Sequence, residues 1–212
     1  HSHPHGKAAL RSPISAARTV GRRRRIRTSP RLHARGVSRG TGTPKADSFA
    51  AWLRTKPPDV GNTCRRGIQR YIATGDPQTP YNEGDAGNGA CMRILPVALA
   101  FLGDDTGFAR AALEQARITH NHPLSDAACL ALGRMTRRLV RGEGRDACRA
   151  EAEELASGYP KFRFEPYRGR ASAYVVDTVQ TVLHHFFTVD SFEECVVQTV
   201  NRGDDADTTA AI

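Results

Sequence analysis

The sequence predicts an all-α fold, and three observations carry that expectation. From Asp47 onward apolar residues recur at three- and four-residue spacings, the period of a helix with one buried face. Clusters of Gly, Pro, Asp, Asn and Ser punctuate these runs. No alternating apolar and polar stretch of strand length occurs between them. With 212 residues and 39% apolar content, the chain is long enough for a single compact helical domain with one sizeable core.

The elements follow in order. Asp47 or Ser48 is placed to cap a short helix through Phe49, Trp52 and Leu53, which Pro57-Pro58 ends. A loop over 59–62 leads to a second helix over 63–73, with Cys64, Ile68, Tyr71 and Ile72 on one face. Residues 75–82 are turn-rich. The glycine-rich run 84–89 enters an expected helix over 90–95, whose first amides are placed to meet an anion. As a motif it is weak, because it lacks the Lys-Ser/Thr of a phosphate loop and no strand precedes it; a plain turn explains it equally well. Helices are then expected over 108–117, 125–140, 146–157, 172–187 and 191–200, the last opened by the capping box Ser191-x-x-Glu194.

The formal charge of +9 divides unevenly. Residues 1–48 carry 12 Lys/Arg and one acid, whereas 49–212 carry 19 Lys/Arg against 21 Asp/Glu. The leading part has no aromatic residue and few branched aliphatics, so it cannot bury enough surface to offset its ordering entropy. Residues 1–47 are therefore expected to be a basic, disordered segment outside the domain at 48–212. An arm for nucleic acid centred on Arg22–Arg25, a transit peptide, a solvated tail and a stretch that is not native coding sequence are four readings of it, with the last two favoured together. The near-neutral remainder argues against nucleic acid as a partner. No apolar run reaches the roughly 20 residues of a membrane helix. Five scattered cysteines without a C-x-x-C pair indicate neither a disulfide framework nor a zinc site, which suits a cytoplasmic protein.

Hard oxygen ligands concentrate in Gly203-Asp204-Asp205-Ala206-Asp207-Thr208-Thr209. Carboxylates and hydroxyls without a neighbouring Cys or His suit Mg or Mn rather than Zn. The plainer reading is that Asp204 or Asp205 caps a helix. Asp59 and Asn62 are likewise placed to cap the helix at Thr63, His120 and His122 to be ordinary histidines, and Tyr174 to be core.

Five segments, 58–63, 83–89, 119–126, 174–178 and 203–209, together resemble the ADP-ribosylglycohydrolase family in the order it carries them. The resemblance covers roughly 48–212 and implies an all-α fold of the ADP-ribosylglycohydrolase type, with a dinuclear Mn or Mg site in a cleft. It implies hydrolysis of the N-glycosidic bond between ADP-ribose and an arginine side chain. The likeness is greatest to members acting in nitrogen-fixation control, so the implied partner is an ADP-ribosylated protein, the iron protein of nitrogenase. Carried over by position, Asp59 is the implied catalytic carboxylate. Asp205, Asp207 and Thr208 are the implied metal ligands. Asn62, Glu83, His120 and Tyr174 are the implied contacts to ADP-ribose, with Gly87, Asn88 and Gly89 approaching its diphosphate through backbone amides. The family's Gly-Asp-Ala-Leu-Gly and Thr-Asp-Asp-Thr motifs, which supply the rest of the metal site, do not occur in the 212 residues. The family-like part is thus expected to be truncated at both ends, its second metal site incomplete and its activity impaired; a non-catalytic ADP-ribose-binding remnant is the alternative.

Overall fold

The computed structural model describes residues 43–212, so the disorder expected at the N-terminus falls on residues 1–42, outside the described residues, and on four or five residues that are inside them. Those few are ordered into helix α1 (Pro44–Arg54). Thr43, not Asp47 or Ser48, is its cap: the Thr43 hydroxyl accepts from the Ala46 amide at 3.4 Å, and Pro44 fills the first-turn position where a missing N–H costs nothing. Asp47 is engaged elsewhere, accepting from the Tyr71 hydroxyl at 2.6 Å and so fastening α1 to α2 (Asn62–Thr74). Gly75 closes α2 at φ 74°, the left-handed conformation that glycine adopts without strain.

The helix expected over 90–95 does not form. A 3₁₀ turn, Cys91–Arg93, stands there, and α3 (Leu95–Ala100) starts only afterwards. Pro96 is the reason: without an N–H it cannot continue a helix from residue 92, but it fits the first turn of a new one. Next come α4 (Asp105–Arg117), capped by Asp104 Oδ1 accepting from the Gly107 amide at 2.8 Å, and α5 (Pro123–Val140). The cap of α5 is His122, whose Nδ1 accepts from the Leu124 amide at 3.1 Å, so the helix opens two residues before Ser125. Asp126, in the first turn of α5, pairs with Arg117 at 2.7 Å.

Helices α6 (Gly144–Gly158), α7 (Val175–Thr188), α8 (Phe192–Val200) and α9 (Ala206–Ala211) complete the described chain. Ser191 caps α8 as its sequence signature indicates, accepting from the Glu194 amide at 3.1 Å. Helix α7 begins at Val175 rather than 172 because the residues before it are used differently. Asn88 donates its amide to Ala173 O at 3.0 Å and Val175 donates to Ala86 O at 2.9 Å, forming an antiparallel bridge of Gly87 with Tyr174. Extended backbone at 173–174 is needed for that bridge, and helix geometry is excluded there.

Helix α5 runs through the main core and packs on α3, α4, α6 and α7. Phe108 and Phe162 are essentially fully buried in it, each removing enough surface from water to contribute about 1.5–3 kcal/mol. Gly133 on α5 makes room for the Phe108 ring, which any β-carbon there would overlap. A smaller cluster of Ala46, Ala50, Ile68, Tyr71 and Ile118 joins α1 and α2 to the turn after α4. Among the described residues there is no strand, so the all-α expectation holds.

Candidate active site

The start of α2, the glycine-rich loop, the turn after α4, the residues before α7 and the start of α9 meet around a cleft of about 540 Å³. Its walls include Asp59, Asn62, Glu83, Gly87, Asn88, Gly89, His120, Tyr174, Asp205, Asp207 and Thr208, every site residue that the family resemblance implies.

For Asp59, Asn62, Asp205, Tyr174 and His120 the plainer readings are not realised. The cap of α2 is the backbone of Gly61 with no side-chain hydrogen bond, so neither Asp59 nor Asn62 caps it. Asp59 is exposed, and no hydrogen bond or ion pair ties its carboxylate to another described residue. Asp205 stands at the N-terminal boundary of α9 but does not cap with its side chain, which accepts from Asn88 Nδ2 at 2.6 Å. Tyr174 is not core: it is 36% exposed and lines the cleft. His120 is no surface histidine, being 2% exposed.

Asn88 is the knot of the site. Beyond its bond to Asp205, its side chain donates to Thr178 Oγ1 on α7 at 2.9 Å, and Thr178 in turn donates to Ser172 O at 2.9 Å. One buried amide therefore fastens the glycine-rich loop to α7 and to the acidic turn before α9. Its own backbone N–H is committed to Ala173, so the expected approach of the Asn88 amide to a diphosphate is not available. The physical reason is the bridge to Tyr174, which takes that donor before a ligand arrives.

His120 forms the floor. Burial, together with the charges of Arg93 and Arg66, lowers its pKa to about 3, so the ring is neutral at ordinary pH. Its tautomer follows from its neighbours. Arg93 Nη2 donates to Thr119 Oγ1 at 2.7 Å, which leaves the Thr119 hydroxyl proton for His120 Nδ1 at 2.7 Å. Nδ1 is then the acceptor and Nε2 carries the proton, on the side facing the glycine loop. The glycines are required by that ring: a β-carbon at Gly87 would stand 3.0 Å from Nε2, and one at Gly89 only 2.9 Å from Cε1. Arg93 also donates to Gly89 O at 2.8 Å and to Gln115 Oε1 at 2.6 Å, so a single half-buried guanidinium holds both loop and floor.

Sequence reasoning missed Arg93, Thr119 and the Asp85–Arg66 ion pair beneath the loop. A lone Arg inside the apolar run Cys91-Met92-Arg93-Ile94-Leu95 was the one available signal, since a buried cation must find several acceptors.

Among the described residues four carboxylates line the cleft, those of Asp59, Glu83, Asp205 and Asp207, and no Lys or Arg does. Glu83 accepts from the Tyr81 hydroxyl, which holds its carboxyl below the usual range. Asp205, Asp207 and Thr208 offer hard oxygens at one end of α9, yet one Asp205 oxygen is already taken by Asn88. Among the described residues no three His, Cys, Asp or Glu side chains converge as a metal-binding group. These residues are thus part of a ligand set and do not by themselves complete one. No helix of the described residues is long and apolar enough to cross a membrane.

Comparison with known proteins agrees with this geometry. An ADP-ribosylglycohydrolase family model matches residues 31–212, a span that begins before the first described helix. The chain is 60% identical over 166 residues to the ADP-ribosyl-[dinitrogen reductase] glycohydrolase of Rhodospirillum rubrum, covering 78% of this chain and 56% of that protein. It is 28% identical over 169 residues to the ADP-ribosylarginine hydrolase Tri1 of Serratia proteamaculans, covering 72% of this chain and 44% of that one. The chain therefore spans about half the length of these curated relatives. A solved ADP-ribosylglycohydrolase-related protein complex superposes with a TM-score of 0.68 at 31% identity, over 80% of this chain and 60% of the solved one. With five separated segments folded into one acidic cleft on an all-α frame and a family match over most of its length, the chain belongs to the ADP-ribosylglycohydrolase family.

Proposed function

We propose that this cleft hydrolyses the bond between ADP-ribose and an arginine side chain of a modified protein. The observation that carries the reading is the gathering of Asp59, His120, Tyr174 and the α9 acids in one cleft, beside relatives named for that reaction. The Rhodospirillum rubrum relative is named for dinitrogen reductase, so that protein, and with it nitrogen-fixation control, is the proposed target.

The chemistry suits the walls. As the ribose carbon parts from the guanidine nitrogen, positive charge builds on the ribose, and four surrounding carboxylates stabilise it. Water adds to that carbon. Asp59, without a partner among the described residues, takes the proton the water sheds and passes it to the departing guanidine, so the products are ADP-ribose and an arginine guanidinium. The neutral His120 offers its Nε2 proton to a sugar or phosphate oxygen without adding charge to the floor. Tyr174 lines the cleft and is part exposed, an aromatic side chain against which the sugar or a base could lie.

Asp205, Asp207 and Thr208 are proposed to hold Mn or Mg, which when bound would orient ribose hydroxyls and water. Calorimetric titration with Mn is expected to show weak binding that Asp207→Ala removes; undiminished binding by that variant would take these residues out of the site.

The test of the reaction is release of ADP-ribose from arginine-ADP-ribosylated dinitrogenase reductase. Replacing Asp59 by Asn is expected to slow release about 10²–10⁴-fold with little change in ADP-ribose affinity. Undiminished release would remove Asp59 as the base. Tight binding without any release by the unaltered chain would favour a binding module over an enzyme.

A further inference from the structure

A larger cavity, about 910 Å³, adjoins the cleft and shares Tyr174 with it. Its wall is the 160–172 loop between α6 and α7, and its charge is the reverse of the cleft's. Lys161, Arg163, Arg168 and Arg170 line it against Glu165 and Asp177. Both acids are already engaged, Glu165 with Arg149 at 3.6 Å and Asp177 with Arg170 at 3.7 Å. Lys161, Arg163 and Arg168 are exposed, and no ion pair holds any of them among the described residues.

This loop is nonetheless firmly built. Phe162 and Phe164 point into the core, and the buried Gln180 of α7 donates to Lys161 O at 2.7 Å and Arg163 O at 2.8 Å. Thr181 fixes the far end, donating to Arg170 O at 2.6 Å. Helix α7 thus holds the backbone of a basic row while its side chains stay in water. Such an arrangement lowers the ordering cost of binding an anionic partner.

We propose that this groove docks an acidic segment of the target protein next to its ADP-ribosylated arginine, with Tyr174 marking where the segment hands its modified side chain to the cleft. The proposal rests on the reading of the cleft given above. Charge complementarity selects the occupant. Three cations spaced along a loop suit several separate carboxylates better than one compact diphosphate. With Tyr174 as the only aromatic residue on the wall among the described residues, the groove offers little on which successive nucleic-acid bases could stack.

Two unmodified peptides, one alternating Asp and Gly and one with Asn for Asp, would be titrated by fluorescence anisotropy against the 212-residue chain, with free ADP-ribose titrated in parallel. The Asp peptide is expected to bind roughly tenfold tighter at low salt, as a few exposed ion pairs allow, and to lose that margin as salt rises. The double variant Arg163→Glu/Arg168→Glu, at exposed positions without partners, is expected to abolish or invert the preference while ADP-ribose affinity stays within about twofold. Absence of a preference in the unaltered chain would overturn the proposal. So would a parallel loss of ADP-ribose affinity in the variant, which would make the groove a phosphate subsite, or tighter binding of a single-stranded oligonucleotide than of the Asp peptide. Failure of ADP-ribose to bind alongside an intact Asp-peptide preference would instead sink the reading of the cleft and leave the groove standing.

Discussion

Replacing Asn88 by Ala tests whether the cleft is assembled by one amide. Asn88 is 5% exposed and donates to Asp205 Oδ2 at 2.6 Å and Thr178 Oγ1 at 2.9 Å. A hydrogen bond to a charged acceptor contributes about 1.5–3 kcal/mol and a neutral one about 0.5–1.5, so the loss should total about 2–4 kcal/mol. Against a usual stability of about 5–15 kcal/mol that is a large fraction, and for a chain of this size it lowers Tm by roughly 5–15 °C. Distance from the mean is not enough to prove the mechanism, because any cavity destabilises. The discriminating measurement is a double-mutant cycle with Asp205→Ala in denaturant unfolding, where coupling of about 1–2 kcal/mol is expected. Losses that add within about 0.5 kcal/mol would show that the two residues do not hold each other, and would refute the reasoning. Asn88→Asp supplies the opposite sign. Two carboxylates at this separation cannot both ionise cheaply, so one is raised above its unfolded value. That variant should gain stability relative to the parent as pH falls toward 4, and a constant deficit between pH 8 and pH 4 would contradict the contact.

His120, lowered to about 3 by burial and by Arg93 and Arg66, binds fewer protons folded than unfolded between that value and the roughly 6.5 of a free imidazole. Its contribution is whole above about pH 6.5 and lost as pH falls, by about 2 kcal/mol at pH 5, which urea midpoints of the parent and His120→Asn would resolve; an imidazole resonance titrating near 6.5 would refute it. Gly67→Ala on α2 sets propensity against packing. Alanine favours the helix by about 1 kcal/mol, but its β-carbon would stand 2.6 Å from Ile118 O and 2.7 Å from Thr119 Cα, and such crowding costs about 1–3 kcal/mol. A net loss of stability with weakened ADP-ribose binding is expected, since Thr119 positions His120; a stabilised variant with unchanged binding would show that α2 yields without disturbing the floor.

Helices with a long apolar face were legible in the sequence because their period is local. Residues 191–200 carry both period and cap within one window, and the structure places α8 there; the period alone finds α4, which opens at Asp105, three residues before Phe108, on a cap at Asp104. Starts were less legible wherever the capping group is not among the favoured types or the amide is claimed from far away. His122 caps α5 although histidine is an uncommon cap, and α7 loses its first residues to a bridge with Gly87, which is 87 positions earlier than Tyr174. No window of sequence contains that pairing.

The site divides along the same line. Asp205 and Asp207 were visible because hard oxygen donors cluster in that turn, and Asp59 because it stands in a segment that resembles the family. What aims them was invisible, because Asn88, Arg93 and Thr119 work through partners 117, 22 and 26 residues away or through the next residue's ring. The consequence is mechanistic. A carboxylate cleft without an internal cation would repel its own acids, so its walls must be held from behind. Arg93 and Asn88 do this from the buried side, one gripping the loop and floor, the other an aspartate. The open side is thereby left negative, which would favour the proposed reaction, in which a ribose carbon becomes positive as its arginine departs.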